Sequence, residues 1–169
     1  MDEKCPFSPI FASKANIRKD ITMTIAIGSD HGGFELKKSI IEHLQKQQVK
    51  TLDMGAYDTQ SSDYPDYAPP VCSAVLSGEA SLGILICGTG IGISISANKI
   101  DGIRCALLGD VFSAKMAREH NNANVMALGA RVIGQGLALE IVDAFLKAEF
   151  SDDVRHSKRV EKIMNLEKR

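Results

Sequence analysis

Apolar residues along this chain follow two alternating rhythms. Short continuous runs have the length of a strand, and Leu82-Gly83-Ile84-Leu85-Ile86-Cys87 is the most apolar of them. Between the runs lie longer stretches whose apolar positions recur every three to four residues, the period of a helix with one buried face. Thr24–Gly28 reads as the first strand, Ser29 to Gly33 as a loop, and Phe34 to Gln47 as a helix with Leu36, Ile40, Ile41 and Leu44 on its inner side. Val49–Met54 is the second strand. A polar loop from Ala56 to Asp66 leads into a helix carrying Pro69 and Pro70, which a first turn accommodates because its N–H groups have no helical partner. Leu82–Cys87 is the third strand, and a glycine-rich turn after it opens a helix to about Lys99. Ile103–Leu108 is the fourth strand, Asp110 is placed to cap a helix through Arg118, and Val125–Leu128 is the fifth strand. A helix from Gly134 to Lys147 and a helical segment from Ser151 to Arg169 follow.

This alternation predicts one α/β domain with a Rossmann-like, three-layer αβα architecture. Its five-stranded parallel sheet carries helices on both faces, with the very apolar third strand at the centre. Val160, Ile163, Met164 and Leu166 give the C-terminal helix an apolar side suited to clasping another subunit. The pattern starts at Met23. Residues 1–22 mix charges, Pro6, Pro9 and scattered apolar residues without a period. They lack the apolar stretch of a secretory signal, and Asp2, Glu3 and Asp20 argue against a transit peptide. The expectation is a disordered extension over 1–22, or an upstream start of translation, followed by the folded domain over 23–169.

Composition narrows the function classes. A length of 169 residues suits a single domain, and 44% hydrophobic with 24% charged residues is ordinary for a soluble globular protein. A net charge of −1 offers no footprint for nucleic acid or an acidic membrane. No stretch approaches the roughly 20 apolar residues that a membrane helix needs. Cys5, Cys72, Cys87 and Cys105 are too far apart for a C-x-x-C metal or redox motif. Cys72 and Cys105 fall in helix-like and strand-like segments and read as core thiols, and reduced cysteines fit a cytoplasmic protein.

Cys87 differs, because the chain passes from it straight into Gly88-Thr89-Gly90-Ile91-Gly92. Ligands of an open parallel sheet bind at the carboxyl ends of its strands, and glycines there let backbone N–H groups approach an anion. A thiol at such a lip can serve as nucleophile or base. The turn lacks the third glycine of a dinucleotide fingerprint, since Ile93 stands there, and it lacks the Gly-Lys-Ser/Thr ending of a Walker loop. The same edge gathers Asp30 and His31 after strand one, Tyr64 in the Asp63-Tyr64-Pro65 loop, and Arg131 after strand five. Asp30 could equally be only a helix cap. His120 and Asn121 end the helix before strand five, at the opposite edge, so they would reach this site from a second subunit. A helix C-terminus alone is reason enough for a histidine. Arg155 and Arg159 lie one helical turn apart, as a solvated basic face or as a phosphate clamp.

Several stretches together resemble the sugar-phosphate isomerase family that contains ribose-5-phosphate isomerase type B and the galactose-6-phosphate isomerase subunits. They are Ile27 to Phe34, Asp63 to Ala68, Ile86 to Lys99, Arg118 to Asn121, Asn124-Val125, Gly129 to Val132 and Arg155 to Val160. The resemblance runs in order from Met23 to the C-terminus and leaves out only the leader. It implies interconversion of ribose 5-phosphate and ribulose 5-phosphate through a cis-enediolate, or the matching reaction of a 6-phosphohexose such as allose or galactose 6-phosphate. It implies Cys87 as the base, with the enediolate charge held by the N–H groups from Gly88 to Gly92, including those of Thr89, Gly90 and Ile91. Thr89 is counted with the catalytic group as well. It implies His120 as the acid that opens the furanose ring. Asp30, Tyr64 and Asn121 would bind the sugar, and His31, Arg131, Arg155 and Arg159 the phosphate and substrate. It implies a homodimer with sites across the interface, or a dimer of dimers, and requires neither metal nor organic cofactor. A mere sugar-phosphate sensor would need the glycines and arginines but would have no use for Cys87 and His120 together.

Overall fold

The computed structural model describes residues 23–168, so the reading of residues 1–22 lies outside it. Five strands, β1 (Thr24–Ser29), β2 (Lys50–Asp53), β3 (Leu82–Cys87), β4 (Cys105–Leu107) and β5 (Val125–Gly129), form one sheet in the order β2-β1-β3-β5-β4. Every neighbouring pair is parallel. The helices are α1 (Phe34–Lys46), α2 (Ala68–Leu76), α3 (Ile91–Ala97), α4 (Val111–Glu119), α5 (Gln135–Lys147) and α6 (Val154–Met164). Consecutive side chains of a strand point to opposite faces. On β3, Leu82, Ile84 and Ile86 therefore join the core under α1, α4 and α5, while Leu85 and Cys87 join the core under α2 and α3. These two apolar layers make the predicted three-layer sandwich, with β3 at its centre.

The local signals operate as expected at the helix starts. Pro69 and Pro70 stand in the first turn of α2, and the Asp110 carboxylate caps α4 by accepting from Ser113 N–H at 2.7 Å. Several elements are shorter than the apolar pattern suggests, β2 by one residue at each end, and in three of them the cause is visible. β4 begins only at Cys105 because Ile103 N–H turns back to the Ile100 carbonyl and Arg104 N–H donates to the Asn124 side chain at 2.8 Å. The glycine-turn helix, α3, ends at Ala97, where the Asn98 side chain leaves it to bond both the N–H and the carbonyl of Cys105. α6 starts at Val154 rather than Ser151, with Asp153 as its cap, and a 3-10 turn over Asn165–Glu167 ends it.

The strand order fixes where a ligand can sit. From β1 the chain crosses outward to β2 and then returns past β1 to β3. The loops leaving β1 and β3 therefore diverge, opening a crevice at their carboxyl ends.

Candidate active site

Register sets the cradle. Ser29 pairs with Ile86, and Cys87 pairs with Gly129, so Asp30, Gly88 and Ala130 leave three adjacent strands side by side. The loops are tied to one another: Asp30 N–H donates to the Ile86 carbonyl, Ala130 N–H to the Cys87 carbonyl and Arg131 N–H to the Gly88 carbonyl. Cys87 is 3% exposed, and its Sγ accepts from Gly90 N–H at 3.1 Å. That backbone N–H fixes the sulfur against the glycine turn, at the mouth of the crevice.

The turn needs its glycines. Gly90 has φ +76°, in the left-handed region, and a Cβ there would lie 2.5 Å from Leu107 Cδ1 and 2.8 Å from the Leu128 carbonyl carbon. A Cβ at Gly92 would run into the Tyr64 ring, so Tyr64 lies directly over the start of α3. Thr89 accepts from Ile91 N–H through its hydroxyl at 3.3 Å. α3 has only seven residues, so the cradle acts through its nearest N–H groups.

Asp30 is buried and caps the short turn His31–Gly33, accepting from Gly33 N–H at 3.0 Å. His31 Nδ1 lies 3.1 Å from Ser62 N, which donates to it, and 3.2 Å from the Ser62 carbonyl. With Nδ1 accepting from Ser62 N–H, the ring carries its proton on Nε2, which can donate to an anion. His31 N–H also reaches the Ser62 hydroxyl at 3.2 Å. Nothing in the pattern of the chain marks Ser62, one of several polar residues in a loop. The Arg131 side chain is exposed and lies across Gly88 and Gly32, where an added Cβ would come within 3.6 and 3.4 Å of its guanidinium.

A second group gathers elsewhere. His120 is the C-terminal cap of α4, and Asn121 follows it before β5 begins. They lie at the amino edge of the sheet, whereas Cys87 lies at its carboxyl edge. A five-residue strand separates the two edges by roughly 16 Å. The His120 ring packs on His156, with centroids 4.2 Å apart and planes inclined by 38°. His156 is 5% exposed, lies 2.8 Å from Ser151 Oγ through Nδ1, and accepts from Arg155 at Nε2 at 3.3 Å. Burial lowers its pKa from the ordinary imidazole value, and His120, Arg155 and Arg159 push the same way against Asp153. The pattern of the chain assigns His156 no role, and its place between Arg155 and Arg159 is the one available hint.

The structure thus brings Asp30, His31, Tyr64, Cys87, Gly88, Thr89, Gly90, Ile91, Gly92 and Arg131 to one edge. It leaves His120, Asn121, Arg155 and Arg159 at the other. The remaining described thiols belong to the core: burial pushes Cys72 up to about 11, and burial with the nearby Cys72 pushes Cys105 upward as well. No cluster of metal-binding side chains occurs among the described residues. None of their helices is long and apolar enough to cross a membrane.

A crevice at the switch point of a doubly wound sheet, with a thiol in a glycine cradle, defines an α/β protein built to work on a small anionic ligand. Comparison with known proteins makes this definite. The ribose/galactose isomerase family matches residues 25–163, and the chain belongs to that family. Ribose-5-phosphate isomerase B of Escherichia coli is 49% identical over 145 residues, covering 86% of this chain and 97% of that protein. The structure of ribose-5-phosphate isomerase B from Clostridium thermocellum superposes with a TM-score of 0.85 at 53% identity, over 86% of this chain and 98% of that one. That of Mycoplasma genitalium ribose-5-phosphate isomerase B with bound ribulose-5-phosphate gives a TM-score of 0.82 at 44% identity, over 87% and 97%.

Proposed function

We infer that this chain is an aldose–ketose isomerase that interconverts ribose 5-phosphate and ribulose 5-phosphate. The names of its relatives favour the pentose over a 6-phosphohexose. The observation that carries the chemistry is the buried Cys87 sulfur, held by Gly90 N–H at the sheet's switch point. In this reading the Cys87 thiolate removes the proton from the carbon beside the carbonyl and returns it to the neighbouring carbon. The intermediate is a cis-enediolate, whose negative charge faces the N–H groups of Gly88 to Gly92 and the hydroxyl of Thr89. Asp30 and Tyr64 hold sugar hydroxyls, while His31 Nε2–H and the Arg131 guanidinium face the anionic end of the substrate.

The remaining roles require a second copy. His120 donates the proton that opens the furanose ring, Asn121 binds a hydroxyl, and Arg155 with Arg159 clamps the phosphate, all from the partner of a homodimer. Uncovered apolar side chains support such a pairing: Ile91, Ile95, Phe112 and Val132 near the cradle, and Val154 and Leu166 on the C-terminal segment, are exposed. The chemistry uses only protons and hydrogen bonds. Reduced thiols and a phosphorylated sugar substrate fit a cytoplasmic setting.

Assay with ribose 5-phosphate, beside allose 6-phosphate and galactose 6-phosphate, tests the substrate. Cys87→Ala tests the base: kcat should fall by about 10²–10⁴ while substrate binding persists. A kcat within a few-fold of the parent would remove Cys87 from that role.

A further inference from the structure

We propose that His156 is a positioning residue for His120, a flat neutral plate on which the ring-opening acid is held in place. The proposal rests on the reading of His120 as that acid. His120 caps the end of a helix, where its backbone N–H is satisfied by the Met116 carbonyl, and this leaves the ring to be fixed by what it packs on. What it packs on is His156, at 4.2 Å between centroids.

His156 is itself held from two sides. Ser151 Oγ engages Nδ1, and the Arg155 guanidinium donates to Nε2. A ring nitrogen that accepts from a guanidinium carries no proton, so the proton of His156 sits on Nδ1 and the ring is neutral. Ser151 is anchored in turn, because its N–H donates to the carbonyl of Glu119, the residue before His120. The plate and the acid thus share one short circuit, running from Glu119 through Ser151 and His156 to His120. With both nitrogens engaged and 5% exposure, His156 has no free position from which to serve substrate as an acid.

Neutrality matters for its neighbour. The groups facing His156 are His120 from α4, Arg155 and Arg159 from α6, and Asp153 at the start of α6. Three of the four are cationic or become so, and a proton on His156 would add another charge beside His120. Burial keeps that proton off, so the His156 ring adds no charge beside His120.

The substrate pair offers a test that a general loss of structure would not mimic. Ribose 5-phosphate is mostly cyclic and must be opened, whereas ribulose 5-phosphate has no free hydroxyl at furanose distance from its carbonyl and is acyclic. Enediolate formation from ribulose 5-phosphate therefore needs the base but not the ring-opening acid. His156→Ala should lower kcat for ribose 5-phosphate by about 10- to 100-fold, as expected when a catalytic group is displaced. Deuterium wash-in at C1 of ribulose 5-phosphate in heavy water should stay within about threefold of the parent. His156→Phe, which restores a flat neutral ring, should regain most of the lost ribose 5-phosphate turnover.

Unchanged ribose 5-phosphate turnover in His156→Ala would overturn the proposal, as would exchange and turnover falling by the same factor. If His156→Ala fails to fold, His156→Phe decides alone, and a folded Phe variant as impaired as His120→Ala would refute the plate. His120→Ala run alongside separates this failure from failure of the underlying reading. Parental turnover in that control would show that His120 is not the acid.

Discussion

Lys37 is 0% exposed, though its sequence neighbours Glu35 and Lys38 are on the surface. It is held by an ion pair with Asp53 and by the Ala56 carbonyl at 2.7 Å, with the Tyr57 and Phe34 rings 5.2 and 5.8 Å away. The same Asp53 oxygen accepts from Gly55 N–H, and Gly55 and Ala56 bond back to Ser29 at the end of β1. One ammonium thus pins the loop after β2 beside the crevice. Lys37→Met should destabilise the fold by about 1–3 kcal/mol, less than for a fully buried pair because Asp53 stays partly in water, and urea unfolding measures it. His156 gives a second expectation. Its lowered pKa means that the unfolded chain takes up this proton first as pH falls. Stability from keeping the ring neutral is present above the ordinary imidazole range and lost as pH falls through it toward the folded value. The melting temperature should therefore drop between about pH 7 and pH 5.5, and by less in His156→Phe.

At the scale of elements, α6 is the most informative. Residues four apart share a helix face, so Arg155 and Arg159 project together beside His156. If Arg159 is the phosphate anchor proposed above, Arg159→Ala should chiefly raise KM for the sugar phosphate with kcat nearly kept, because such an anchor binds ground and transition states alike; steady-state kinetics separates the two. Elements whose stability comes from a buried stripe were legible in the chain. β3 and the core-facing Leu36, Ile40 and Leu44 of α1 follow the apolar period, and the Cys87 turn shows in its glycines. Features made by side chains bonding to backbone were not legible. Asn98 ends α3, Asn124 delays the start of β4, and Ser62 aims His31, yet each looks like any polar loop residue. Lys37 and His156 escaped for a related reason: charged residues on a helix suggest solvent, and only a partner distant in sequence reverses that.

For the whole molecule, the length of the sheet between Cys87 and His120 is what the proposed homodimer would bridge. In such a two-fold pair, each site would take Cys87 from one chain and His120 from the other. Cys87→Ala and His120→Ala should each be nearly inactive. Refolded together at equal ratio, they should recover roughly a quarter of parental activity per chain, since half of the randomly formed dimers carry one intact site. Activity no higher than that of the separate variants, with mixed dimers confirmed by native mass spectrometry, would place both residues in one chain.

The sheet is then a spacer as well as a scaffold. A lone chain would hold a base with no acid beside it, and an acid with no base. Catalytic competence becomes a property of concentration: below the dissociation constant of the pair, turnover would fall with the square of the amount of protein, although every molecule remained folded. A nascent chain, fully formed but still alone, would leave the cell's sugar phosphates untouched until it met its twin.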